Sequence, residues 1–211
     1  SVSLAGNIAT YTPSLHYIGP DSFTFIVNDG SENSAAAQIS IMVNDSGESL
    51  LINGSFESGY TAWSHSGNQT VEPAGFYTAT EGVRMVAFNA EQKTPNGVLS
   101  QSFPTVPGRI YQLAFDMGAL SYIGTSQLLQ VTVDGNSNLL AQTIAVIGPD
   151  GGNIRWLPQS FSFTANSATT TLTFRDVSTT SDGIDMVLDD VRVTRSSTNA
   201  APIAAADKFT T

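Results

Sequence analysis

Apolar and polar residues alternate with a period of two along most of this chain, and helical periodicity does not recur. The alternation predicts strands over residues 22–27 and 37–43, with Asn28-Asp29-Gly30 supplying the tight turn of a hairpin between them. Residues 44–48 (NDSGE) are polar and turn-rich, and read as a linker. Beyond them, strands are predicted over 51–57, 70–72, 84–89, 98–105, 111–119, 128–133, 160–164, 169–176 and 187–194. Turn residues separate them: Pro107-Gly108, Asp134-Gly135-Asn136, GPDGG at 148–152 and Asp182-Gly183. Short strands at this spacing predict an all-β chain whose main body is a jelly-roll β-sandwich. Phe103, Tyr111, Phe115, Phe161, Phe163 and Phe174 fall at inward positions of the alternation. The longest stretches with little predicted structure, 59–83 and 119–127, are the expected binding loops.

Two resemblances refine this picture. LINGSFESG with a following Trp (51–63), LSQSFPTVPGRIYQLAFDMG (99–118), FSFTANSATTTLTF (161–174) and VLDDVRV (187–193) occur in the order seen in galactose-binding-like jelly rolls. Residues 50–195 therefore resemble that group, which includes several carbohydrate-binding modules. Before them, ATYTP (9–13), GPDSFTF (19–25) and NDG (28–30) resemble the closing part of the cadherin-like or Ig-like tandem repeats of bacterial surface proteins. The final NAAPIAAADKFTT (199–211) resembles the opening strand of another such repeat. The implied organisation is a partial Ig/cadherin-like β module over 1–45, a linker at 46–49, a jelly roll over 50–195, and a linker with one extended strand over 196–211. The chain is accordingly expected to be an excerpt of a repeat array.

Composition narrows the partners. Eighteen acidic residues against eight basic give a net charge of -10. That balance disfavours nucleic acid and anionic lipid, and suits divalent cations or a solvated acidic surface. No apolar run is long enough to span a membrane, so membrane insertion is not expected. The chain has no cysteine, which excludes disulfides and thiolate chemistry. The resemblances imply an extracellular or cell-surface location.

The jelly-roll resemblance implies a structural calcium held by Glu57 and by Asp189 or Asp190 with backbone carbonyls, because the first and last strands are neighbours in that fold. Carboxylates gathered there would repel one another without a cation. Exposed aromatic faces beside amides would serve sugar recognition. Tyr122, between Gly118 and Gly124, is the leading platform, with Tyr77, Trp156 and Gln127 as further contacts. Trp63 is assigned to the core. The two histidines, His16 and His65, have no Ser or Asp partner at a recognisable spacing, and Glu72, Glu81, Glu91 and Asp116 are scattered over separate segments, so no enzyme is expected.

The function that follows is a non-catalytic extracellular adhesion module recognising a glycan or cell-wall polysaccharide. The alternative is a protomer or spacer of an extracellular fibre. In that case Pro202, Ile203 and Phe209 of one copy would pair with Phe23 and Phe25 of the next by β-strand complementation.

Overall fold

The computed structural model describes residues 1–196 except 7, 15, 16, 18, 44–46, 74, 76 and 77. Two five-stranded antiparallel sheets face each other in a jelly-roll sandwich. One sheet is built from β5 (Ser64–Ser66), β8 (Val98–Pro104), β10 (Ser126–Asp134), β11 (Asn138–Ile147) and β13 (Thr169–Asp176). The other contains β6 (Gln69–Pro73), β7 (Arg84–Phe88), β9 (Ile110–Ser121), β12 (Asn153–Thr164) and β14 (Ile184–Arg195). Spatial orders are β11-β10-β13-β8-β5 and β12-β9-β14-β7-β6. Towards the N-terminus, β1 (Val2–Ala5) pairs with β2 (Ile8–Tyr11), and β3 (Gly19–Phe25) with β4 (Ala37–Val43).

The alternation explains why these segments are strands. Along β9, Tyr111, Leu113, Phe115, Met117 and Ala119 are buried, while Gln112, Ala114 and Asp116 between them are only half-buried. The stripe meets Leu129, Val131 and Val133 of β10 and Leu172 and Phe174 of β13 in one continuous core. Phe115 packs edge-on against Phe174 with ring centroids 5.0 Å apart. The other expected core aromatics also point inward, with Phe161 packed against the core margin. Trp63 is buried, and its indole N–H donates to Asn53 O at 3.0 Å.

Three expectations need correction. Residues 51–57 form turns rather than a strand, because Asn53 (φ 56°) and Phe56 (φ 59°) take the left-handed conformation. They nevertheless dock on the last strand, with Leu50 N donating to Val193 O at 2.7 Å and Val191 N to Gly54 O at 3.0 Å. A β-carbon at position 54 would lie 1.9 Å from Val191 O, so only glycine permits this approach. Second, β11 was not predicted. Third, the expected loops contain strand: 59–83 holds the short β5 and β6, and 119–127 is mostly the ends of β9 and β10.

In the N-terminal segment the turn between β3 and β4 is wider than a two-residue hairpin. Asn28 and Asn33 bridge it, and the Asn28 side chain donates to Asn33 Oδ1 at 2.7 Å. Tyr11 donates its hydroxyl proton to Asp21 at 2.6 Å, which ties β2 to β3. That bond pushes the tyrosine up to about 12 and holds the aspartate below its usual range. Leu4, Ile8 and Met42 remain 74%, 69% and 62% exposed, so these ribbons bury little apolar surface of their own.

Candidate functional site

At one pole of the sandwich, five connections converge: those between β5 and β6, β7 and β8, β9 and β10, β11 and β12, and β13 and β14. Tyr122 follows β9 here and is 60% exposed. Its ring lies so close over Gly152 that a β-carbon there would sit 2.6 Å from it. Tyr122 N donates to Gly183 O at 2.8 Å, and Gly152 N to Ser121 O at 2.8 Å. The Ser121 hydroxyl, buried beside it, donates to Ile123 O. One edge of the ring thus rests on the backbone at Gly152, while the backbone of Tyr122 is tied to Gly183. Beside Tyr122 is a depression of about 130 Å³ walled by Glu91, Gln92, Leu120, Ile184 and Asp185.

Glu91 and Gln92 belong to a 3-10 turn at Ala90–Gln92, directly after β7. Asn89, Glu91 and Gln92 all have positive φ (51°, 61° and 60°), a conformation that costs a non-glycine residue about 1 kcal/mol or more. A buried polar network holds this turn. Asn89 Nδ2 donates to Gln127 Oε1 at 2.8 Å and to Asp176 Oδ2 at 3.0 Å, and Gln127 Nε2 donates to Thr180 O at 2.8 Å. Gln127 and Asp176 occupy inward positions continuing the stripes of β10 and β13, so the core ends in polar groups at this pole. Gln127 is therefore fully buried beneath the turn and cannot touch a ligand, contrary to expectation. Nothing in the local pattern of Glu91 and Gln92 marks a left-handed turn, so the sequence does not place them beside Tyr122.

A second depression, of about 240 Å³, lies on the other side of the same turn. It is bordered by Asn68, Gln69, Glu72, Glu91 and Lys93. Lys93 Nζ is 3.0 Å from Glu91 Oε2, in an exposed ion pair. Gln69 borders it, and its Oε1 is buried with no partner among the described residues.

The remaining expected residues lie elsewhere. Trp156 is half-buried on the outer face of the second sheet, packed with Met85, Ala87 and Val187, and its indole N–H donates to Thr78 O at 2.9 Å. It secures the segment after β6 rather than offering a face to solvent. His65 stacks on Tyr60 with ring centroids 3.9 Å apart. Phe23 and Phe25 lie on β3, which among the described residues pairs only with β4. Tyr77 and His16, like Pro202, Ile203 and Phe209, lie outside the described residues.

Glu57 and Asp189 have separate hydrogen-bond partners, whereas Asp190 has one paired oxygen and one, Oδ1, that is buried without a partner among the described residues. Glu57 Oε1 accepts from Val83 N and Arg84 N, both at 2.8 Å. Asp189 Oδ2 accepts from Thr80 N at 2.8 Å, Thr80 Oγ1 at 3.1 Å and Glu81 N at 2.9 Å, and its Oδ1 accepts from Asp190 N at 2.8 Å. Asp190 pairs with Arg192 at 2.8 Å. Burial raises Asp189 above the usual aspartate range despite these bonds; burial also raises Asp190, with Glu81 and Asp116 adding to it and Arg192 opposing. Calcium takes six to eight oxygens. Here N–H and O–H donors already face Glu57 Oε1 and both oxygens of Asp189, which leaves Asp190 Oδ1 as the unpartnered buried oxygen of the set. Among the described residues no group of three or more histidine or acidic side chains is placed to hold a metal.

Residues 58–194 match the family described as "Protein of unknown function (DUF642)". The chain belongs to that family. Residues 1–42 of this DUF642 protein match the family described as "Bacterial Ig domain". No curated protein matches it by sequence. Among solved structures, TmCBM61 in complex with β-1,4-galactotriose is similar with a TM-score of 0.54 and 18% identity, over 71% of this chain and 99% of that one. The K3 cleaved adhesin domain of Lys-gingipain from Porphyromonas gingivalis W83 gives 0.52 and 17%, over 68% and 98%. The C-terminal family 22 carbohydrate-binding module of Clostridium thermocellum Xyn10B gives 0.50 and 17%, over 73% and 97%. At these identities the likeness is one of fold.

Proposed function

We propose that the DUF642 jelly roll is a non-catalytic carbohydrate-binding module of an extracellular or cell-surface adhesion protein. The observation that carries this reading is the Tyr122 ring, exposed yet braced on Gly152, at the rim of a depression walled by Glu91, Gln92 and Asp185. An immobilised aromatic face suits the apolar C–H surface of a sugar ring, and amides and carboxylates at its edge suit the hydroxyls. The fold shared with a galactotriose-bound module and an adhesin domain supports the same reading. Affinity measured on a glycan array and by calorimetry tests it. Tyr122→Ala should lower affinity about tenfold, the equivalent of losing one good contact, with thermal stability unchanged because the side chain is mostly in solvent. Equal affinity in the variant would remove Tyr122 from the site.

The alternative, a fibre protomer or spacer, is favoured by the exposed apolar residues of β1, β2 and β4. Sedimentation that shifts steeply with concentration, without any glycan binding, would select it.

A further inference from the structure

The two depressions flank a single turn and share Glu91, which borders both. We infer that they are successive subsites of one binding groove, and that its ligand is an internal stretch of a linear, uncharged polysaccharide. This deepens the carbohydrate-binding reading and rests on it.

Four observations converge. Glu91 stands between the depressions with its side chain 80% exposed, where its two oxygens can accept from hydroxyls on either side. The ammonium of Lys93, 3.0 Å from it, offers donors to a sugar in the far depression. Asn68 and Gln69 bring side-chain amides to the border of that far depression. The backbone of the turn that places Glu91 is also held from beneath by buried groups, through Asn89, Gln127 and Asp176. A groove whose central residue is fixed from below loses little entropy when it closes on a chain.

Charge selects the class. The residues bordering the groove include Glu72, Glu91 and Asp185 against Lys93, and the whole chain carries -10. A polyuronate or sulfated glycan would meet repulsion along its length, whereas neutral hydroxyls meet both donors and acceptors.

The test is affinity as a function of chain length, by calorimetry on the full chain. Probes are neutral β-1,4-linked galacto-oligosaccharides of one to six units, alongside other neutral and uronate series chosen from the array. Affinity should climb about tenfold or more between disaccharide and hexasaccharide, as added hydrogen bonds accrue. Lys93→Ala should collapse that ratio, and Tyr122→Ala should weaken short and long oligomers together. Both side chains are exposed, so both variants should fold. Affinity that is flat with length, or a Lys93→Ala loss equal at all lengths, overturns the two-subsite groove while leaving Tyr122 as a sugar platform. Stronger binding of uronates overturns the uncharged class. No binding to any glycan overturns the groove and the carbohydrate reading together.

Discussion

Asp189 is the residue whose removal most directly tests how the segment after β6 is held. Asp189→Ala deletes the acceptor of two backbone N–H groups on that segment, at Thr80 and Glu81, together with the Thr80 hydroxyl and Asp190 N. Four bonds to a charged acceptor total about 6–12 kcal/mol at typical values. Most of this is offset, because burying the carboxylate is itself costly and the freed segment can move into water. The net loss should be about 3 kcal/mol, in the range for breaking a buried charged network. Urea unfolding measures the total, and hydrogen exchange at the Thr80 and Glu81 amides reads the local effect. The raised Asp189 adds a sign. A buried acid that holds its proton more tightly when folded favours the fold below its unfolded value and loses that contribution as pH rises through its folded one. Acidification into that window should therefore widen the stability advantage of the wild type over Asp189→Asn, because only the wild type gains there. A loss under about 1 kcal/mol with both amides still protected would refute the clamp.

Two further predictions concern the core and the cation. Phe115→Ala removes a fully buried ring between Phe174 and Phe161 and should cost about 3–5 kcal/mol in urea unfolding; a loss below about 1 kcal/mol would mean that β9 is out of register by one residue. Adding a chelator should leave the melting midpoint unchanged, since N–H donors already meet Glu57 and Asp189; a fall of several degrees would restore calcium to this structure.

Most of the sandwich was legible because burial enforces alternation. Strands with one face in the core, such as β9, β10 and β13, carry the period of two plainly. The edge strand β11 buries only Val146 fully, so its sequence NLLAQTIAVI has little reason to alternate and gave no clear signal. Residues 51–57 misled in the opposite way: Leu51 and Phe56 are buried through turns, which satisfy hydrophobicity without strand geometry. At the site, the glycines around Tyr122 pointed correctly to an exposed aromatic. Gln127 was readable too, since it shares parity with Leu129, Val131 and Val133 and had to point inward. Glu91 was not readable, because its role depends on a left-handed turn propped by residues 38 and 87 positions away from Asn89.

The docking of residues 50–54 on β14 also decides how the module would respond to force. Leu50 and Val193 are hydrogen-bonded neighbours, and they lie at the opposite end of β14 from the Tyr122 pole. The chain thus enters and leaves at one point, so the jelly roll hangs from the polypeptide like a pendant instead of forming a link in it. Tension along the strand would first open the pairing of Gly54 with Val191 and Leu50 with Val193, peeling one bond at a time. The groove-bearing pole, held by the rest of both sheets, lies furthest from that load.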